Sequence, residues 1–137
     1  MNRQQIESAL KDYRWMMNSI LLLEEELKHP NAKVTALYGI EAAMPKAQGG
    51  PSDPVLQEVC RREKKWNRLD NYREKCAFIT SRMHLITNDR EIEVLNLTMD
   101  GLSNRKIAAH MGFSHTHIKR IQESIVAKLV DKREHVA

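Results

Sequence analysis

Between positions 103 and 123 the chain places Ser103, Asn104, Arg105, Ser114, His115, Thr116, His117, Lys119, Arg120 and Glu123. These side chains offer hydroxyl, amide, imidazole, guanidinium and ammonium groups, the types that hydrogen-bond to phosphate oxygens and base edges. Covalent chemistry is not suggested. No nucleophile–base pairing or paired-carboxylate motif occurs, and Gly49-Gly50-Pro51 lacks the Lys-Ser/Thr that a phosphate-cradling loop requires. His115 and His117 lie about 200° apart on a helix, so they cannot easily ligate one ion. Cys60 and Cys76 stand alone without a second pair, which indicates neither a zinc site nor a disulfide framework. The chain is therefore expected to be no enzyme and to need no metal or cofactor.

The spacing around these residues specifies how they are held. Ser103 can cap a two-turn helix, Gly112 can end it in the left-handed conformation, and Ser114 can cap a second helix after a short turn. Ile107, Met111, Phe113, Ile118 and Ile121 point inward and fix the crossing, and Ala108 keeps it close. This is the layout of a helix-turn-helix. At about 100° per residue, Ile118, Ile121 and Ile125 share one side of the second helix. Thr116, Lys119, Arg120 and Glu123 lie opposite, with His115 and His117 flanking the first turn. A DNA major groove admits one such helix, which reads base edges with its exposed N-terminal residues. Lys119 or Arg120 suits guanine, Thr116 and His115 suit bases or phosphates, and Glu123 could read cytosine or discourage wrong sites. Ser103, Asn104 and Arg105 open the other helix, where unpaired backbone N–H groups favour phosphate. Residues 101–130 carry five Lys or Arg against one acid.

Upstream lie the elements that must support this region. Asn88 and Glu91 read as a capping box opening a short helix whose apolar side is Ile92, Leu95 and Leu97 or Met99. Ile6, Leu10, Tyr13, Met17, Ile20, Leu23 and Leu27 recur in threes and fours, predicting an amphipathic helix over about 3–28. His29-Pro30 closes it. A linker over 29–53 follows, with a short strand or turn around Leu37 to Ile40. Ser52 or Asp53 then caps a helix beginning at Pro54 and running to about 86, with the seam Val55, Val59, Arg62, Trp66, Leu69, Tyr72, Cys76, Ile79 and Met83. Two such seams predict an antiparallel hairpin or a dimer coiled coil. Between 61 and 82 there are eight Lys or Arg against three acids. Arg62, Lys64, Lys65 and Arg68 are candidate phosphate contacts, with a plain solvated face as the alternative.

The 137 residues, 42% apolar but only 5% aromatic, suit packed helices better than sheets. The expected fold is all-α, with an N-terminal helical region over 1–87 and a helix-turn-helix domain over 88–137. The formal charge of +4 permits a polyanionic partner. No apolar run approaches a membrane span and no signal-peptide pattern opens the chain, so a cytoplasmic protein with reduced cysteines is expected. Both cysteines read as small apolar packing residues.

The segments 89–95 and 100–108, continued by 111–119, resemble the promoter-reading C-terminal domain of sigma factors, and LuxR-type regulators share a similar pattern. The wider layout resembles the ArpU/RinA-type phage regulators: a first helix ending near His29-Pro30, the loop Gly49-Gly50-Pro51-Ser52-Asp53-Pro54, and a long basic helix. That resemblance implies a transcriptional activator of phage or prophage late genes, with double-stranded DNA and host RNA polymerase as partners. Unlike a full sigma factor, the chain is not expected to carry a separate promoter-melting domain. Two alternatives stay open beside the sequence-specific activator. One is a sigma-like polymerase adaptor in which protein contacts dominate, and the other is a phage DNA-packaging subunit. A homodimer is also left open.

Overall fold

The computed structural model describes residues 1–28 and 53–130. The linker, its expected strand or turn near 37–40, and the stop at His29-Pro30 lie outside the described residues. Those described are all-α: α1 (Arg3–Lys28), α2 (Pro54–Arg82), a 3-10 turn (Met83–Leu85), α3 (Asp89–Met99), α4 (Asn104–Met111) and α5 (His115–Val130). No described helix is long and apolar enough to cross a membrane.

Asn2 and Gln5 start α1 with a reciprocal cap. The Gln5 N–H donates to Asn2 Oδ1 at 2.8 Å, and the Asn2 N–H donates to Gln5 Oε1 at 3.0 Å. Along the helix Ile6, Ala9, Leu10, Met16, Ile20, Leu23 and Leu27 are buried, and Tyr13 is half-buried. Met16, rather than the expected Met17, takes the inner position. The reason is phase. Extending the Ile20, Leu23, Leu27 rhythm backward in alternating fours and threes gives 16, 13, 9 and 6, an unbroken seam near 3.5 residues per turn.

The same rhythm corrects α2. Leu69, Cys76 and Ile79 are buried with Tyr72 half-buried between them, and the phase continues backward to Lys65, Arg62, Glu58 and Val55. Val59 and Trp66, assigned to the seam from the sequence, are 50% and 44% exposed. Polar residues hold their places because each has a partner. Glu58 accepts from Arg61 at 3.1 Å, Arg62 donates to the Leu27 carbonyl at 3.4 Å, and Lys65 pairs with Glu26 at 2.8 Å. Asp53 is the cap, accepting the Val55 N–H at 2.9 Å with Pro54 at the first helical position. The helix ends four residues earlier than expected, tightening into the 3-10 turn through the Ile86 N–H to Met83 carbonyl bond of 3.1 Å. Cys60 is exposed, so the packing role expected of both cysteines belongs to Cys76 alone. Burial pushes the Cys76 thiol above its ordinary pKa and keeps it protonated.

Contacts divide the chain into two compact units whose boundaries cut through both long helices. One comprises Met1–Asn18 with Arg73–Ala137, described as far as 130, and the other Ser19–Tyr72. In the second unit, α1 and α2 run as a hairpin pinned by the Arg62 and Lys65 contacts. In the first unit, the opening turns of α1 belong with α3, α4 and α5. Val94, Leu95, Ile107, Ile118, Ile125 and Leu129 form its buried centre. Ile92, expected inward on α3, is 36% exposed, and Val94 takes its place.

Candidate nucleic-acid interface

The interface begins with two serines. Ser103 Oγ accepts the Lys106 N–H at 3.3 Å, and Ser114 Oγ accepts the His117 N–H at 3.1 Å, so each starts a helix as the sequence indicated. Between them Gly112 adopts φ +72°, and the N–H groups of Gly112 and Phe113 both close on the Ala108 carbonyl at 2.9 and 3.1 Å. A Cβ at Gly112 would meet nothing within 4 Å, so the need for glycine is conformational rather than steric. Ile107 and Ile118 are fully buried, Ile121 is buried beside them, and Ala108, Met111 and Phe113 are half-buried around the crossing.

Burial then sorts the faces of α5. Ile118, Ile121, Ile125, Val126 and Leu129 face the core, whereas His115, Thr116, Lys119, Arg120 and Glu123 are exposed. Ser103, Arg105 and Ser114 are also exposed, and Asn104 is half-buried. Lys119 and Glu123 share a groove with Asn104, which brings the expected phosphate side and base side of the motif together. His117 departs from expectation. It is half-buried, with its ring edge-on to Phe113 at a centroid distance of 4.6 Å, while the Arg90 guanidinium lies 5.6 Å from the Phe113 ring centroid. Its ring is engaged in holding the turn.

Two side chains tie the motif together through long-range links that the local sequence does not signal. Gln122 Nε2 donates to Asn104 Oδ1 at 2.8 Å and to Thr98 Oγ1 at 3.2 Å, tying α5 to the start of α4 and the end of α3. Glu91 is the other. The Asn88 side chain does cap α3, accepting the N–H groups of Arg90 and Glu91. Glu91 does not complete the expected box. Its carboxylate reaches α5, where Ser124 Oγ donates to it at 2.6 Å and the Lys128 ammonium pairs with it. Burial alone would raise the Glu91 pKa, but the hydrogen bonds from Lys128 and Ser124, with the Lys128 charge, hold it below the usual value. Neither link has a local signal, since the partners are separated by 24 and 33 residues.

The profile of the GerE group, bacterial regulatory proteins of the luxR family, matches residues 87–135. Those residues are a LuxR-family helix-turn-helix domain. Such a domain is a DNA-binding regulatory module, and this one carries its structural marks: the two serine caps, the left-handed glycine and an exposed polar face on α5. Across its length the chain is similar to the uncharacterized protein YqaQ of Bacillus subtilis (strain 168). Identity is 28% over 134 aligned residues, covering 94% of this chain and 89% of YqaQ. No solved structure matches the chain.

Outside the LuxR-type domain, the four basic candidates of α2 differ from one another. Arg62 and Lys65 are half-buried and engaged with α1, whereas Lys64 and Arg68 are exposed. Among the described residues no group of three or more His, Cys, Asp or Glu is placed to hold a metal ion.

Proposed function

We propose that this protein is a sequence-specific transcriptional regulator that inserts the N-terminal half of α5 into the DNA major groove. The observation carrying the reading is the pair of opposed faces on α5, one buried in the LuxR-type fold and the other presenting Thr116, Lys119, Arg120 and Glu123 to solvent. Lys119 and Arg120 supply the donors that suit guanine O6 and N7. His115 and Thr116 reach bases or phosphates beside them. Ser103, Asn104, Arg105 and Ser114 stand where a helix-turn-helix meets the backbone and sets its register. The resemblance to sigma-factor C-terminal domains and to ArpU/RinA-type regulators supports a narrower form: an activator of phage or prophage late genes that works with host RNA polymerase in the bacterial cytoplasm.

Selection of bound duplexes from sheared source-genome DNA at about 0.15 M salt tests the reading, since nonspecific contacts are weakened there. One or a few recovered sites near promoters are expected. Replacing Lys119 or Arg120 with Ala should then cost about 1–3 kcal/mol for each lost base contact and relax the preference at that position. Recovery of no preferred sequence overturns specific regulation and turns attention to the polymerase contact. Unchanged specificity in both alanine variants overturns the assignment of the reading face.

A further inference from the structure

We propose that the opening turns of α1 extend the DNA-binding surface, with Arg3, Lys11 and Arg14 binding phosphates that flank the helix-turn-helix contact. This inference rests on the reading of the C-terminal domain as a DNA binder. It adds a segment distant in sequence that composition and motif spacing leave unassigned.

Position on the helix is the first support. Arg3, Glu7, Lys11 and Arg14 follow one another by four, four and three residues, which keeps them within an arc of about 80°. All four are exposed, while Leu10 and Ile6 along one flank of the ridge and Ala9 behind it are buried. The charged ridge is therefore not needed to complete the core.

Placement is the second. Arg3, Glu7 and Lys11 form one wall of a groove of about 280 Å³ whose other wall includes Asn104, Lys119 and Glu123. Lys11 also lines a neighbouring hollow with Gly101, Ser103 and Asn104. Arg14 lies over the turn before α4, its Cβ 3.5 Å from where a Cβ on Gly101 would stand. The ridge thus runs beside the residues assigned to phosphate and to bases. Leu10 beneath the ridge packs toward Leu95, Ile125 and Val126, with only about 10 Å³ of free space between them. That leaves room for at most about one water.

Charge is the third. Three cations stand against one acid, and Glu7 meets Lys11 only at 3.4 Å across exposed side chains. A pair of this kind contributes little and exchanges readily for phosphate. The cations lie on the side of α1 that shares a groove with Lys119, so one polyanion can engage both. Each phosphate neutralised adds about 0.9 to the slope of log affinity against log salt.

The test uses the full chain and a duplex recovered by the genomic selection, with affinity measured between about 0.05 and 0.3 M salt, the range over which phosphate contacts change affinity most. Arg3→Gln/Lys11→Gln/Arg14→Gln should lower the salt slope by about 2–3, weakening specific and scrambled duplexes alike while base preference is unchanged. Glu7→Lys should do the reverse, raising the slope by about 0.9, a gain that misfolding cannot mimic. An unchanged slope in both variants, with circular dichroism and Tm preserved, overturns the proposal. So does a loss confined to the specific duplex. A wild-type chain that binds no duplex at all defeats the functional reading itself, whereas a binding wild type with unresponsive variants defeats only the α1 extension.

Discussion

Gln122 holds Asn104 in one orientation: its Nε2 donates to Asn104 Oδ1 at 2.8 Å and to Thr98 Oγ1 at 3.2 Å. The direction of the network follows from its far end. Thr98 Oγ1 donates to the Val94 carbonyl at 2.8 Å, so it can only accept from Gln122, which must present its amide nitrogen. Asn104 then turns its carbonyl oxygen inward and keeps its NH₂ group for an outside acceptor such as phosphate. Gln122→Leu, close in size but unable to donate, should cost about 1 kcal/mol of stability in urea unfolding. It should also weaken DNA binding without changing base preference. Unaltered DNA affinity would show that the orientation of Asn104 does not matter to the interface.

Glu91 makes stability depend on pH. Its folded pKa lies below the ordinary 4.5, so the stability it contributes is fully present above that value and is lost as pH falls through the folded pKa. Glu91→Gln should cost on the order of 1–3 kcal/mol at pH 7, through loss of charge-assisted bonds to Ser124 and Lys128. The gap between wild type and variant should narrow below pH 4.5 as the wild-type carboxylate takes up its proton. Urea midpoints measured from pH 7 down to about pH 3 check both, the window being set by the carboxylate linkage. A gap that stays constant through the acid range would mean that Lys128 and Ser124 do not stabilise the ionised form.

Gly112 isolates the cost of backbone conformation from that of packing. With φ at +72° and no atom within 4 Å of an added Cβ, Gly112→Ala should destabilise by about 1–2 kcal/mol. Gly112→Asn should recover part of that loss, because asparagine tolerates the left-handed region. Thermal unfolding of the two variants ranks them. Equal losses would point to a steric clash rather than backbone strain.

The helix-turn-helix was legible because its determinants are local. Ser103, Gly112 and Ser114 act within three or four residues of themselves, and the apolar rhythm of Ile118, Ile121 and Ile125 sets the buried face. The seam of α2 was legible mainly where it is apolar. From Leu69 to Ile79 the pattern reads correctly and Arg62 is in phase, but apolar Val59 and Trp66 draw the expected seam away from Glu58 and Lys65, whose burial depends on partners. Periodicity ranks residues by hydropathy and cannot know that a lysine will meet a glutamate on another helix. The Gln122 network and the reach of Glu91 to α5, in place of the capping box, are illegible for the same reason. Helical angle alone puts His117 on the exposed flank, because it ignores Phe113 approaching from the turn.

The polar end of the α2 seam separates structural from DNA-facing cations among Arg62, Lys64, Lys65 and Arg68. The Arg62 guanidinium donates at 3.4 Å to the Leu27 carbonyl, one of the last four of α1 and so without a partner inside that helix. A cation there also complements the negative end of the α1 dipole. Lys65 reaches Glu26 at 2.8 Å with its side chain only 24% exposed. Replacing both with Met should therefore lower stability by about 1–2 kcal/mol, through one lost hydrogen bond and one partly screened ion pair. The salt slope of DNA binding should not move. Lys64 and Arg68 stand exposed on the same helix, and of the four candidates they are the two with no contact to α1 to give up. Lys64→Gln/Arg68→Gln should leave Tm unchanged, and a fall of about 1–2 in the salt slope would assign α2 to the DNA. A fall in slope from the Arg62/Lys65 pair at constant Tm would instead show that the hairpin releases these cations when the protein binds DNA.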